Sequence, residues 1–232
     1  MYRNHRGINL TNKTCNIFTP SCLSEWLFDL LSQKFDKKTC LILDPCVGNG
    51  QLLSPWKKAG YKVKAIDIED KGFPNTIQMD YLLSEKTDYK IFPDLVIINP
   101  PFNIHEDMEE QKTTFKYLTE NGWTKRPLLP EVFLAKTIEL FGKEVPILLF
   151  TPYGMRFNLT LESKRFLKFD SGDYPKINSI VTLPKNIYNL DNNNILKKNN
   201  EGKRIIFHSE ILLFNIKDLE AHYFLPKSLA KK

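Results

Sequence analysis

Short apolar segments alternate with segments of helical periodicity along most of this chain, and that alternation limits the possible folds more than any other feature. The segments SCLSEWLFDLLSQKF and LLPEVFLAKTIELFG carry apolar residues at helical spacing. The apolar segments predict short strands within CLILDPC, YKVKAIDI, TIQMD, DLVIINPP, VPILLFTP, INSIVTLP and RIIFHSEILLFNI. Strands separated by helices predict an α/β fold, with a doubly wound, mostly parallel sheet, helices on both faces and an antiparallel C-terminal edge strand.

The length of the chain bounds its domain organisation. Its 232 residues fit one α/β domain with a sizeable core. We expect a single domain over residues 1–232, with an N-terminal arm at 1–14 and a flexible, Asn/Lys-rich loop at 189–204. The N-terminus has no signal-peptide core and no apolar segment is long enough to span a bilayer, so we expect a soluble, cytoplasmic protein.

Charge and cysteine content narrow the function only slightly. A net charge of +6 and a pI near 9.0 fit an anionic partner, and a solvated Lys-rich surface explains them about as well. The cysteines form no C-x-x-C pair, and His5 is the only histidine near them; they are Cys15, Cys22, Cys40 and Cys46. We therefore expect reduced thiols in an intracellular protein and no metal site.

Unusual polar sequences follow four successive strands of the predicted sheet. DPCVGNG follows the first strand, DIED the second, MD the third and NPPF the fourth. In doubly wound sheets the ligand lies beyond the carboxyl ends of the strands. Because all four sequences fall at that edge, we predict that they share one site.

The glycine-rich sequence DPCVGNGQLL is a weak signal by itself. Gly48 and Gly50 lie where a strand passes into a helix, and without a Cβ they let a ligand approach the backbone. The third glycine of a dinucleotide fingerprint is replaced by Leu53, and the Gly-Lys-Ser/Thr of a P-loop is missing. A plain tight turn therefore explains the two glycines nearly as well as a ligand site does.

Acidic residues at the next two strand ends strengthen the ligand hypothesis. Asp67 ends the second strand, where a carboxylate reaches both ribose hydroxyls of a nucleoside lying over the glycines. Asp80 follows the third strand and could accept a hydrogen bond from an adenine amine. The alternative is a solvated turn made by Asp67, Glu69 and Asp70. The spacing favours the ligand, because one acid stands at each strand end.

The sequence NPPF ends the fourth strand in a way that suits an amine substrate. Asn99 offers a side-chain carbonyl, and the rigid turn keeps the backbone carbonyl of Pro100 out of any strand ladder. Two acceptors that converge on one amine bind both of its hydrogens and draw the nitrogen lone pair out of conjugation with an aromatic ring. Phe102 can stack on a base that has left its helix, while Pro100 and Pro101 make the turn pre-organised.

These motifs resemble those of the S-adenosylmethionine-dependent amino-methyltransferases, and in particular the N6-adenine DNA methyltransferases. Asp-Pro-x-x-Gly-x-Gly and Asn-Pro-Pro-Phe stand in the order and separation usual for that family. FTPSCLSEWLFDLL looks like the helix that precedes the glycine motif in the γ-ordered subgroup, and LPKNIY…FHSEILLFNI is similar to the closing strands of modification subunits of type I restriction systems. The resemblance covers most of residues 15–217 and implies a Rossmann-like methyltransferase sheet with S-adenosylmethionine as cofactor.

The resemblance also implies roles for individual residues. The cofactor would be bordered by Thr19, Pro20, Asp44, Pro45, Gly48, Gly50, Asp67, Ile68, Asp80 and Asn99. The target base would be held by Asn99, Pro100, Pro101 and Phe102, with a second aromatic ring from either Tyr188 or Phe207. Nucleic-acid phosphates could be contacted by Lys197, Lys198, Lys203 and Arg204, although a solvated loop explains that cluster as well.

The chain also departs from the family pattern. It ends too early for the separate target-recognition domain of members with their own sequence specificity, and little room is left for helices between strands two and four. Specificity would then come from a partner subunit or from the loops at 103–128 and 189–204. Three alternatives stay open: an RNA amino-methyltransferase acting on adenine N6 or guanine N2, a protein glutamine methyltransferase, and a non-catalytic nucleic-acid-binding subunit. The glutamine enzymes typically have Tyr at the position of Phe102.

Overall fold

The computed structural model describes residues 18–102, 116, 120, 128–157, 165–185, 187–189 and 208–225. The helices are α1 (Ser21–Leu31), α2 (Ser54–Lys58), α3 (Leu129–Phe141) and α4 (Arg165–Asp170). The strands are β1 (Leu41–Asp44), β2 (Lys62–Asp67), β3 (Ile77–Gln78), β4 (Leu95–Ile98), β5 (Ile147–Pro152), β6 (Ile177–Thr182), β7 (Ser209–Phe214) and β8 (His222–Phe224). Each strand predicted from the sequence is present, and β8, α2 and α4 are additions to that prediction.

All the strands form one sheet in the order β3-β2-β1-β4-β5-β7-β6-β8. Neighbouring strands are parallel except at β7, which is antiparallel to both β5 and β6. The predicted doubly wound, mostly parallel sheet and its antiparallel C-terminal strand are therefore confirmed. Its predicted position at the edge is wrong, because β7 lies between β5 and β6, and β8 occupies the edge instead.

The core lies in two apolar layers, one on each face of the sheet. On one face, α1 and α2 pack Leu23, Leu27 and Trp56 against β1, β4 and β5. On the other face, α3 packs Val132 and Leu140 against the same strands together with β7. Alternate residues of each strand pack into opposite layers, which explains why β4 and β7 are buried along their whole length.

Local sequence signals set the ends of the two long helices. Pro20 has an extended backbone and directly precedes α1. Its carbonyl oxygen accepts a hydrogen bond from Ser24 Oγ in the first turn of the helix. Pro130 stands in the first turn of α3, where a missing N–H costs nothing. Gly142, with φ +89°, ends α3 in the left-handed region that favours glycine.

The connections between β2, β3 and β4 are short, as the sequence predicts. No helix longer than a single 3₁₀ turn joins these described strands, and the turns are Tyr81–Leu83 and Lys86–Asp88. The predicted arm at 1–14 and all but the first residue of the predicted loop at 189–204 lie outside the described residues. Among the residues that the structure describes, no helix has the length and apolar character needed to cross a membrane.

Candidate active site

Two of the polar sequences singled out above meet at the point where the strand order reverses. β1 pairs with β2 on one side and with β4 on the other. In the pairing with β4, Ile42 is in register with Leu95 and Leu43 with Val96. The chain leaves β1 through DPCVGNG and leaves β4 through NPPF, both at the carboxyl edge. This is the topological switch point, where doubly wound sheets bind their ligands.

Backbone hydrogen bonds hold the glycine turn in a fixed shape. The Val47 N–H donates to the Ile66 carbonyl at 2.9 Å, which ties the turn to β2, and the Gly50 N–H donates to the Val47 carbonyl at 2.8 Å. Gly48 and Gly50 have φ of +55° and +78°, in the left-handed region that other residues rarely adopt. The turn therefore requires both glycines for its conformation.

Two aromatic rings that the sequence analysis did not assign to the site flank this turn. The Phe18 ring lies 3.5 Å from the point where a Cβ on Gly48 would stand. The Phe73 ring takes the space beside Gly50, since a Cβ there would lie 1.8 Å from Phe73 Cδ2. Phe18 directly precedes Thr19-Pro20, and that adjacency was the available signal for it. Phe73 gave no comparable signal, because its loop has no helical or strand pattern.

Gly50→Ala is expected to destabilise the fold by about 2–5 kcal/mol. The left-handed backbone contributes roughly 1–2 kcal/mol of this cost and the clash with Phe73 about 1–3 kcal/mol. Gly72→Ala is the matched control, because Gly72 has φ +85° and no atom lies within 4 Å of its added Cβ. Urea unfolding should show the smaller loss in the control, and equal losses would remove the Phe73 contact from this account.

Asp67 is buried at the end of β2 and holds the glycine turn. Its Oδ2 accepts the Gly48 N–H at 2.7 Å, and its Oδ1 accepts the Glu69 N–H at 3.1 Å. Lys71 Nζ lies 3.6 Å from Oδ1. Because Asp67 is buried, it is not part of a solvated turn. Asp70 is exposed, as the solvated-turn alternative predicts for it. A carboxylate has four lone-pair sites, so these contacts leave capacity for a ligand hydroxyl.

Asp44 ends β1 in a site closed to solvent, with 1% of its surface exposed. Its Oδ1 accepts the Cys46 N–H at 3.1 Å. Burial raises the pKa of Asp44 to about 8 against the lowering effect of that hydrogen bond, and the negative charge of Asp67 adds to the rise. Asp44 is therefore protonated at neutral pH in the folded protein.

The contribution of Asp44 to the free energy of unfolding should fall as the pH rises from about 4 to about 8. In this window the unfolded chain has lost the Asp44 proton while the folded chain keeps it, so the native state binds more protons and the slope is negative. The slope contributed by Asp44 is at most about 1.4 kcal/mol per pH unit. Asp44→Asn should remove this contribution in urea unfolding across the window. A variant with the same pH dependence as the wild type would show that Asp44 is already ionised.

A hydrogen bond between Asn99 and Thr19 joins the catalytic candidate to the segment before α1. Asn99 Nδ2 donates to Thr19 Oγ1 at 2.9 Å, across 80 positions of the chain, and Thr19 and the adjoining Pro20 are both buried. This contact orients the amide, with its nitrogen toward Thr19. Thr19 and Asn99, which the resemblance places in the cofactor site, are thus in contact in the structure.

Phe102 and Tyr188, both candidates for the target base, belong to the same buried apolar cluster. They are 5% and 9% exposed, and the Tyr188 hydroxyl lies 2.9 Å from Ser209 Oγ. Burial raises the pKa of the Tyr188 phenol, which stays neutral. Stacking on a base would require the covering side chains to move. The other nucleic-acid candidates lie outside the described residues; they are Lys197, Lys198, Lys203, Arg204 and Phe207.

The remaining cofactor candidates lie along the same edge. The Met79 N–H donates to the Asp67 carbonyl at 2.9 Å, which brings Asp80 beside the end of β2. Asp80 Oδ1 accepts the Leu82 N–H at 3.0 Å and caps the following 3₁₀ turn. Ile68 and Pro101 are half-buried, whereas Pro45 and Pro100 are buried. Except for Tyr188, each described candidate either ends or follows one of the strands β1 to β4, or directly precedes α1.

The sheet and its switch-point site have the fold of the S-adenosylmethionine-dependent methyltransferases. A Listeria monocytogenes protein described as a class I enzyme of this kind matches at a TM-score of 0.58 with 18% identity, over 92% of this chain and 68% of its own. The methyltransferase subunit of a type I restriction-modification system from Streptococcus thermophilus matches at 0.57 with 16% identity, over 90% of this chain and 47% of its own.

A further solved structure, from Vibrio vulnificus, is described as a modification subunit of a type I restriction enzyme. It matches at a TM-score of 0.57 with 13% identity, over 91% of this chain and 48% of its own. The chain thus spans about half the length of the two type I subunits. No family model and no curated protein sequence matches it. The Rossmann-like methyltransferase sheet implied by the motifs is confirmed by these likenesses of fold.

Proposed function

We propose that this chain transfers a methyl group from S-adenosylmethionine to the N6 amine of adenine in DNA. The observation that supports it most is the Asn99 amide, oriented by Thr19 at the switch point and next to the strand that carries the glycine turn. An amide oxygen and a proline-bounded carbonyl at such a place suit an aromatic amine and require no charged base.

The residues on β1 and β2 fit the proposed cofactor. The buried carboxylate of Asp67 at the end of β2 suits a ribose diol, and the left-handed turn at Gly48 and Gly50 shapes the backbone beside it. Gly48, Gly50 and Asp67 would hold the nucleoside, and Thr19 and Pro20 would border the methionine end. When bound, the cofactor supplies an electrophilic methyl group carried on a sulfonium.

The chain's own residues would position the amine of the target base. Asn99 Oδ1 and the Pro100 carbonyl each accept one amine hydrogen, so both N–H bonds point toward the turn and the nitrogen lone pair points away from the base plane. The two prolines fix the turn before the base arrives, which limits reorganisation during the reaction. Phe102 would stack on the base once its cover opens.

A nucleic-acid substrate is supported by the net charge of +6 and by the likeness of fold to two type I subunits. The likeness of fold to the two type I subunits also supports a partner, such as a specificity subunit, as the source of sequence specificity. The segments at 103–128 and 189–204 are a second candidate source of specificity. All but residues 116, 120, 128 and 189 of these segments lie outside the described residues.

Methyl transfer from radiolabelled S-adenosylmethionine to matched substrates tests the proposal. Double-stranded DNA, single-stranded DNA and structured RNA should be compared at equal adenine content. Label in DNA is the expected result, and label in RNA alone would assign the chain to the RNA amino-methyltransferases. Tight cofactor binding with no label in any nucleic acid would contradict the proposed substrate and favour a protein substrate.

A further inference from the structure

The turn that follows β5 presents two aromatic rings to solvent from a firmly anchored backbone. Tyr153 and Phe157 are 56% and 49% exposed, whereas Met155 between them is buried in the core. The Tyr153 N–H donates to the His208 carbonyl at 3.0 Å, which extends the pairing of β5 with β7. Gly154, with φ +85°, then turns the chain. Rings held on such a backbone lose little conformational entropy when a ligand covers them.

Arg156 lies on the same turn, and a buried carboxylate holds its side chain in place. Its Nε donates to Glu210 Oε1 at 3.3 Å, and its guanidinium carbon stands 4.0 Å from the centre of the Phe157 ring. Glu210 is fully buried, and its other oxygen accepts no hydrogen bond from the described residues. A buried carboxylate with an unmet acceptor costs free energy, and here it fixes a cation against an exposed ring.

This turn emerges beside the catalytic candidate. β5 pairs with β4 in register at Ile98 with Leu149, so Asn99 is level with Phe150, one strand spacing or about 5 Å away. Tyr153 follows Phe150 by three residues, about 10 Å along the strand direction. Both strands end at the carboxyl edge of the sheet. The turn is therefore within reach of a nucleotide that neighbours a base held at Asn99.

We propose that Tyr153, Arg156 and Phe157 form a stacking platform for an unpaired nucleotide next to the target base. Aromatic rings with an adjacent arginine suit a nucleobase, because every base has a π-face and the guanidinium can stack on it or pair with phosphate. The net charge of +6 for the whole chain fits a polyanionic partner. The inference rests on the proposed function and adds to it the place where the flanking strand is held.

Fluorescence anisotropy with labelled single-stranded DNA and RNA of one mixed sequence, about 20 nucleotides long, tests the platform. Tyr153→Ala and Phe157→Ala should each weaken binding of the better probe by at least about fivefold. Phe92→Ala is the matched control, since Phe92 is 54% exposed just before β4, at the opposite edge of the sheet, and should change affinity by less than about twofold. S-adenosylmethionine affinity should be unchanged in all three variants.

The outcomes separate this inference from the proposed function. A wild-type protein that binds the probes and platform variants that bind equally well would overturn the platform alone. A wild-type protein that binds neither probe would overturn both. Unchanged probe affinity combined with weakened self-association in sedimentation would assign the two rings to a contact between copies of this chain, which also overturns the platform.

Discussion

Asn99→Ala is expected to lower the rate of methyl transfer by about 100- to 1,000-fold or more, while S-adenosylmethionine affinity stays nearly unchanged. The substitution removes the side-chain acceptor for the amine and leaves the backbone carbonyl of Pro100, so the lone pair is no longer directed at the methyl group. Loss of one pre-organised hydrogen-bonding group in a catalytic site typically has an effect of this size. Single-turnover rates at saturating cofactor, together with calorimetric binding, measure both quantities.

Thr19→Val separates the orientation of the amide from its presence. The variant keeps the shape of the side chain and removes the Oγ1 that accepts the Asn99 Nδ2 hydrogen. Its rate should fall between those of the wild type and Asn99→Ala. A large loss of cofactor affinity in Asn99→Ala, with the rate preserved once the cofactor is saturating, would mean that Asn99 binds the cofactor and not the target.

Asp67→Ala is expected to weaken S-adenosylmethionine binding by about 10- to 100-fold. A hydrogen bond to a charged group contributes about 1.5–3 kcal/mol, and the carboxylate also holds the Gly48 N–H in place at 2.7 Å. The loss should therefore combine direct and indirect effects. Titration calorimetry gives the dissociation constant, and Asp67→Asn, which keeps one acceptor for Gly48, should lose less affinity.

Asp70→Ala is the matched control for the acidic turn. Asp70 lies three positions after Asp67, is exposed, and accepts the Gly72 N–H at 2.9 Å. Its removal eliminates the same charge nearby without touching the glycine turn, so cofactor affinity should stay near the wild-type value. A dissociation constant that is unaffected by Asp67→Ala would remove Asp67 from the cofactor site.

The strands and the two long helices were predictable because their signals are local. The apolar run at 95–98 forms β4, and the segments with helical spacing form α1 and α3, with boundaries shifted by a few residues. The position of β7 was not predictable in this way. Its place between β5 and β6 depends on pairing between segments far apart in sequence, which periodicity does not report.

The candidate site was likewise predictable only where its signals are local in sequence. Asp67 and NPPF were found because Asp67 ends a strand and NPPF directly follows one, at the carboxyl ends where a parallel sheet binds its ligands. The hydrogen bond from Asn99 to Thr19 and the packing of Phe73 against Gly50 required the folded chain, since each joins segments that have no sequence relation. The protonated state of Asp44 likewise arises from burial, which a sequence position does not specify.

Nucleoside analysis of the methylated product tests the central claim most directly. Double-stranded and single-stranded DNA would be incubated with the protein and S-adenosylmethionine, digested to nucleosides and analysed by mass spectrometry beside an Asn99→Ala reaction. The account predicts N6-methyladenine from the wild type and almost none from the variant. Methyl groups on another base, no methylated nucleoside at all, or equal yields from the two proteins would contradict it.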